Sequence, residues 1–245
     1  MQCTKVGPAL SSYSDVCSGV VQRSCLGPLL FVLYINDIVD IFSKSIISKR
    51  YANDLKLYTT LQTDDDYDAL HRGLTELEKW FAVWQLHIAV RKCSVLPIGL
   101  RDTSAKRCLR LLGNTLPVSN IVNDLEIVID SQLKFSCQVN AMVAKAHSRA
   151  CLIHKSFLCK NQKILTKDFI TYVRPLVEYA SCIWSPSTKT LIKKIKSVQK
   201  RFTKMMRVIA NLTYKERLEK QGLESLERRR LRFDLIFVYN ICYSD

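Results

Sequence analysis

Glycine and proline are scarce in this 245-residue chain, with seven and six respectively. So few backbone breaks, beside 48% hydrophobic residues, exclude a disordered or low-complexity chain and leave material for one large or two small cored domains. Long apolar runs are lacking as well. The longest, Leu26 to Ile35, stops at Asn36-Asp37 and falls short of the ~20 residues that a membrane-spanning helix needs. The first residues, MQCTKVGPALSSYSD, lack the basic-then-apolar layout of a secretory leader, so the expectation is an intracellular protein, nuclear or cytoplasmic, with no membrane partner. None of the ten cysteines falls in a C-x-x-C or Cys/His pattern of zinc spacing, which leaves buried, reduced thiols as the expected state.

Acidic residues are heavily outnumbered in the rear of the chain. Residues 1–90 carry a net charge of −2 and residues 91–245 a net charge of +17, within a total of +15. No Asp or Glu occurs between Glu178 and Lys215, a stretch that holds Lys193, Lys196, Lys200, Arg201 and Lys204. These five lie mostly opposite the apolar stripe Leu191, Ile192, Ile195, Val198, Phe202, Met205, Ile209. Charged helix faces are usually just solvated. Without neighbouring acids, however, this one attracts a polyanion by Coulomb forces and counterion release. RNA, DNA or an RNA–DNA hybrid is the expected partner. The Arg228-Arg229-Arg230 run ranks lower because Glu224 and Glu227 lie beside it.

Three regions differ in pattern. In residues 1–90, Leu26, Leu29, Leu30 and Leu33 predict a buried helix after a loop, and Asn53-Asp54 predict the tip of a hairpin between Ile46–Tyr51 and Leu55–Thr60. Asp64-Asp65-Asp66 then open a helix running to about Trp84, its apolar face formed by Leu70, Leu74, Leu77 and Phe81. Residues 91–135 read as a strand-rich connector, punctuated by Pro97, Gly99, Gly113, Pro117 and Asn123-Asp124. Residues 136–245 read as basic and helical, with stripes at Val139–Phe157 and Phe169–Val177. The last helix is expected to start at the Thr213-Tyr214-Lys215-Glu216 capping box and run on through Leu231–Phe237.

Three strings along the chain resemble the reverse transcriptases of non-LTR, LINE-type retrotransposons, in particular the jockey-like group. The string from Ser18 to Phe31, SGVVQRSCLGPLLF, is similar to the family's SGVPQGSVLGPLLF segment. Tyr51-Ala52-Asn53-Asp54 stands where the family has its YADD or FADD turn. The third is a set of phrases: Trp80 to Trp84 leading to Lys92-Cys93, then Tyr172-Val173-Arg174-Pro175 with Glu178-Tyr179, then Val198 to Thr203. The resemblance implies an α+β chain: a partial reverse-transcriptase palm, hairpin plus helices, over 1–90, and a helical thumb-like bundle over 136–245. It also implies RNA-directed DNA polymerase chemistry with Mg²⁺ as cofactor and deoxynucleoside triphosphates as substrates.

On that resemblance Asn53, Asp54 and Lys92 take the catalytic positions, Asp54 the metal position, and Ser18, Gly19, Gln22 and Tyr51 the nucleotide and template positions. Ser18 and Gln22 either face the nucleotide or cap the following helix. Lys92 is either a proton donor or an exposed strand-start lysine. The departures matter more. Asn53 replaces an aspartate, and an amide offers a cation a carbonyl oxygen but no charge. The upstream aspartate strand of the family has no counterpart, since Asp15 sits in a different context. Val21 and Arg23 replace a proline and a glycine, and Arg23 either blocks the nucleotide or pairs with its phosphate. The expectation is therefore a polymerase fragment that is inactive alone, does not hold Mg²⁺ productively and retains non-specific nucleic-acid binding. The alternatives are activity once a palm segment is supplied in trans, and a non-functional product.

Overall fold

Capping boxes and positive-φ turns set most of the element boundaries. The computed structural model describes residues 3–15, 24–99, 108–157 and 161–243. They group into two compact units, Met1–Cys93 with Ser104–Pro117, and Ser94–Thr103 with Val118–Asp245. The 91–135 segment contributes to both.

The first unit opens with the short pair β1 (Lys5–Val6) and β2 (Ala9–Leu10). Helix α1 (Gly27–Tyr34) follows, then β3 (Ile47–Tyr51) and β4 (Asp54–Tyr58), which pair antiparallel. The helix expected to be buried is not. Gly27 alone is buried, and Leu29, Leu30 and Leu33 are about half exposed. Apolar residues occupy every side of α1, and among the described residues no element of this unit buries Leu29, Leu30 or Leu33. Helix α2 (Asp64–Val83) begins where the acidic run predicts. Thr63 Oγ1 accepts from the Asp66 N–H at 3.3 Å and Asp66 accepts from the Thr63 N–H at 2.8 Å, a reciprocal cap. Leu70, Leu74, Leu77 and Trp80 are buried, so Trp80 takes the place expected of the half-buried Phe81. Gly73 lets α2 approach Ile46, whose Cδ1 would lie 2.8 Å from an added Cβ. The hairpin β5 (Arg110–Leu111) and β6 (Asn114–Thr115) turns through Leu112-Gly113, and the Leu112 N–H donates to the Glu78 carboxylate on α2.

The second unit begins with the hairpin β7 (Ile121–Asp124) and β8 (Ile127–Asp130). Its turn is Leu125-Glu126, both at positive φ, two residues beyond the Asn123-Asp124 signal. Asp130 carries the chain into the next helix. Its carboxylate accepts from the N–H groups of Gln132, Lys134 and Phe135 at 2.9–3.1 Å. Burial opposes its charge, but those donors win and hold the carboxyl below its ordinary value. Helical elements complete the bundle among the described residues: α3 (Ser136–Ser156), α4 (Gln162–Asp168), a wide π turn and a 3-10 turn over 169–177, α5 (Ser181–Trp184), α6 (Lys189–Lys204), a 3-10 turn (Arg207–Ile209), α7 (Tyr214–Gln221) and α8 (Leu226–Tyr243).

Val139, Ala146, Phe169, Val173, Val177, Ile195, Val198 and Phe202 are fully excluded from solvent, all on the expected stripes. Small Ala146 and Ala150 let α3 lie close against α6. Two details differ. Helix α6 stops at Lys204, so its period ends and Met206 takes the buried place expected of Met205. The helix that starts at the capping box also ends early, at Gly222 in the left-handed region (φ 61°), and α8 restarts at Leu226. The cysteines depart from expectation too. Among the described residues Cys25, Cys108, Cys137, Cys182 and Cys242 are exposed and Cys3, Cys93 and Cys151 half-buried, because they sit at polar-face and loop positions.

Candidate nucleic-acid interface

Register decides what the hairpin of the first unit can present. Tyr51 pairs with Asp54, which leaves Ala52 and Asn53 as a two-residue loop. The turn thus lies one residue earlier than the Asn53-Asp54 tip read from the sequence, and Asp54 starts a strand. Ala52 sits at φ 50°, a conformation that costs a non-glycine residue about 1 kcal/mol. Tyr51, Asn53 and Asp54 are all exposed. The hairpin is tied to the end of α1 by Arg50, which donates to the Ile35 carbonyl and, at 3.3 Å, to Asn36 Oδ1. Tyr34 then ties α1 to α2, its hydroxyl donating to the Trp84 carbonyl at 2.6 Å.

A divalent cation at this tip would meet one carboxylate and one amide. Among the described residues no group of three His, Cys, Asp or Glu side chains could hold a metal ion. Mg²⁺ in phosphoryl transfer asks for several hard, charged oxygens, and these residues do not fit it. Lys92 ends an exposed 3-10 turn, Val90–Lys92. Ser18, Gly19 and Gln22, with Val21 and Arg23, lie outside the described residues.

The second unit presents charge of a different kind. On α6, Leu191, Ile195, Val198, Gln199, Phe202 and Thr203 point inward, while Lys193, Lys196, Lys200, Arg201 and Lys204 are exposed. Among the described residues none of the five pairs with an acidic side chain. Lys196 lies 5.5 Å from the centre of the Tyr214 ring, which steadies the stem and leaves the ammonium accessible. Lys189 stands in the first helical turn, where the helix dipole disfavours a cation. By contrast the arginine run is compensated. Arg229 grips Glu178 at 2.5 and 3.1 Å, Arg228 lies 3.2 Å from Glu224, and Arg232 also pairs with Glu224.

A polar network that hydrophobic patterning does not reveal holds α6 in place. Gln199 is almost fully buried. Its Oε1 accepts from the Tyr214 hydroxyl at 2.7 Å and the Leu226 N–H at 3.3 Å, and its Nε2 donates to the Glu224 carbonyl at 3.0 Å. Buried Arg217 donates to Thr203 Oγ1 at 3.1 Å, to the Leu212 carbonyl at 2.6 Å and to the Lys200 carbonyl at 3.4 Å. It meets the carbonyl end of α6, the end that favours a cation. Burial pushes the Tyr214 phenol up to about 12, against the pull of Arg217. The helix-phase glutamine and threonine inside Val198–Thr203 were the available signal. Beside the row, His147 Nε2 lies 3.2 Å from Ser197 Oγ, and burial, then the Arg201 charge, lowers its pKa.

Known proteins match the chain over most of its length. The probable RNA-directed DNA polymerase from transposon X-element of Drosophila melanogaster is 23% identical over 207 residues, covering 81% of this chain and 22% of that protein. The RNA-directed DNA polymerase from mobile element jockey of Drosophila funebris is 23% identical over 212 residues, covering 82% and 22%. An uncharacterized Caenorhabditis elegans protein is 26% identical over 125 residues, covering 50% of this chain and 63% of its own. The chain spans about a fifth of the length of the two polymerases. No family model and no solved structure matches it.

Proposed function

We propose that this chain, a relative of the RNA-directed DNA polymerases of jockey-like non-LTR retrotransposons, is a part of such an enzyme that grips nucleic acid and does not extend a primer by itself. The uncompensated row Lys193, Lys196, Lys200, Arg201 and Lys204 carries the reading. It follows one exposed helix face and is anchored from behind by Gln199 and Arg217, and lysine and arginine side chains are the residue types that contact phosphate oxygens. Loss of polymerisation is supported by Asn53, which removes a negative charge where the family places a metal-bridging aspartate.

Two assays test the halves separately. Incubation with primed RNA, deoxynucleoside triphosphates and Mg²⁺ or Mn²⁺ is expected to give no extension; sustained incorporation by the chain alone would refute the inactivity. Fluorescence anisotropy with an RNA–DNA hybrid is expected to show binding that weakens steeply with salt. Salt-independent or absent binding would refute the grip.

A second reading is favoured by the uncovered apolar side of α1: a palm segment supplied in trans packs there and completes an active polymerase. Extension restored by adding that segment from a relative separates it from the first.

A further inference from the structure

The last helix outruns the bundle that holds it. Its first turns pack on α5 and α6, where Leu226 and Arg230 are buried and the Leu226 N–H donates to Gln199 Oε1. Phe233 and Asp234 are its last half-buried residues, and from Leu235 to Tyr243 every residue is exposed. That arm, LIFVYNICY, carries no charged side chain. Leu235, Tyr239 and Tyr243 are 63%, 62% and 73% exposed. A helix that is apolar on every side calls for a cover.

Three observations select a second copy of the chain as that cover. The first is area. The eight large apolar side chains exposed between Leu231 and Tyr243 present on the order of 700 Å². Two copies that cover most of each other's share bury about 1,200 Å² in total, the lower bound for a specific interface. The second is charge. Exposed Arg228 and Arg232 share one acid, Glu224, which leaves positive charge in surplus near the start of α8. The last turn of α8 has no basic residue, and its carbonyl end is partly negative. Laid antiparallel, two copies bring the arginines of each toward the carbonyl end of the other. A parallel pair sets arginine against arginine. The third is shape. An open cavity of about 360 Å³ lies beside the first turns of α8, with Pro186, Ile192 and Leu231 as its apolar walls. Leu231 and Tyr243 are equally far from Phe237 along the helix, so an antiparallel pair centred there sets the Tyr243 ring of one copy level with the cavity of the other.

We propose that the chain forms a two-fold dimer through α8, each arm lying antiparallel on the other with its final tyrosine over the other copy's cavity. The same patch serves both copies, so the contact closes and does not propagate. The test is sedimentation velocity of the full chain without nucleic acid, from about 1 to 200 µM, a range that brackets an interface of this size. A reversible monomer–dimer equilibrium is expected. Leu235→Glu with Val238→Glu charges the arm clear of the folded bundle and is expected to weaken dimerisation at least about tenfold. Ser185→Trp, at an exposed position lining the cavity, leaves the arm intact and is expected to weaken dimerisation at least about threefold by filling the space for Tyr243. Circular dichroism is expected to show both variants folded like the parent. A parent chain that stays monomeric throughout, oligomers that grow without limit, or a parent-like dimer in either folded variant overturns the proposal.

Discussion

Replacing Lys196, Lys200 and Lys204 together by glutamine removes three of the five exposed, unpaired cations on the outer side of α6. At about 1.5 Å per residue, the row from Lys193 to Lys204 is about 16 Å long, the axial rise of about five nucleotides of one strand. Five contacts therefore fit on one strand without bending it. Each neutralised phosphate contributes about −0.9 to the slope of log affinity against log salt, so the intact row gives about −4.5 and the triple variant about −1.8. Between 50 and 200 mM salt the intact chain should lose nearly three decades in affinity and the variant about one. Loss of the Lys196 contact with Tyr214 costs about 0.5–1 kcal/mol of stability, too little to unfold the unit. The assay is anisotropy of labelled RNA–DNA hybrid across a salt series, with circular dichroism to confirm folding. A variant slope within half a unit of the parent's would refute the assignment of phosphates to this face.

Three further outcomes are expected. Asn53→Asp should not restore primer extension with Mg²⁺ or Mn²⁺, because it brings the hairpin to two carboxylates and no more; measurable incorporation would show that another ligand completes the site. Gly222→Ala should lower the denaturant midpoint by an amount equal to about 1 kcal/mol: no atom lies within 4 Å of the added Cβ, so the left-handed backbone alone resists it. His147 should give opposite pH signs for folding and binding. Its folded-state pKa lies below the ordinary 6.5, so the stability that it contributes is full above 6.5 and is lost as pH falls below it. A phosphate beside it favours the imidazolium, so hybrid affinity should rise over the same fall in pH, and His147→Gln should flatten that rise.

Where one period governed, the sequence was legible. Val139, Ala146, Ile195, Val198 and Phe202 lie inside because a straight helix repeats every 3.6 residues and nothing interrupts it there. The capping boxes at Thr63 and Thr213 were readable for a similar reason, being local pairs three residues apart. Errors came where local signals compete. Asn53-Asp54 and Asn123-Asp124 both suggest turns, yet strand register moved one turn to Ala52-Asn53 and the other to Leu125-Glu126. Register belongs to the pairing of two strands, and a dipeptide does not encode it. Leu29, Leu30 and Leu33 predict burial only if a neighbour arrives to cover them. The Gln199–Tyr214–Arg217 network was harder to read because Gln199 sits on a different helix from Tyr214 and Arg217, and hydrophobic period does not say which polar groups meet.

On the proposed reading, the two functions of the chain fail at different rates under substitution. Metal-dependent transfer concentrates its requirement in a few carboxylates, so one Asp-to-Asn change at position 53 removes a full charge from the place where it is needed. A phosphate grip spreads its requirement over Lys193, Lys196, Lys200, Arg201 and Lys204, and losing one removes about a fifth of the salt-dependent attraction. What the grip needs in addition is a rigid helix, and that is supplied from inside by Gln199, Thr203 and Arg217 rather than by the exposed charges themselves. Binding can thus survive changes that end chemistry. The converse, chemistry without the grip, has no support in a hairpin that offers a single carboxylate.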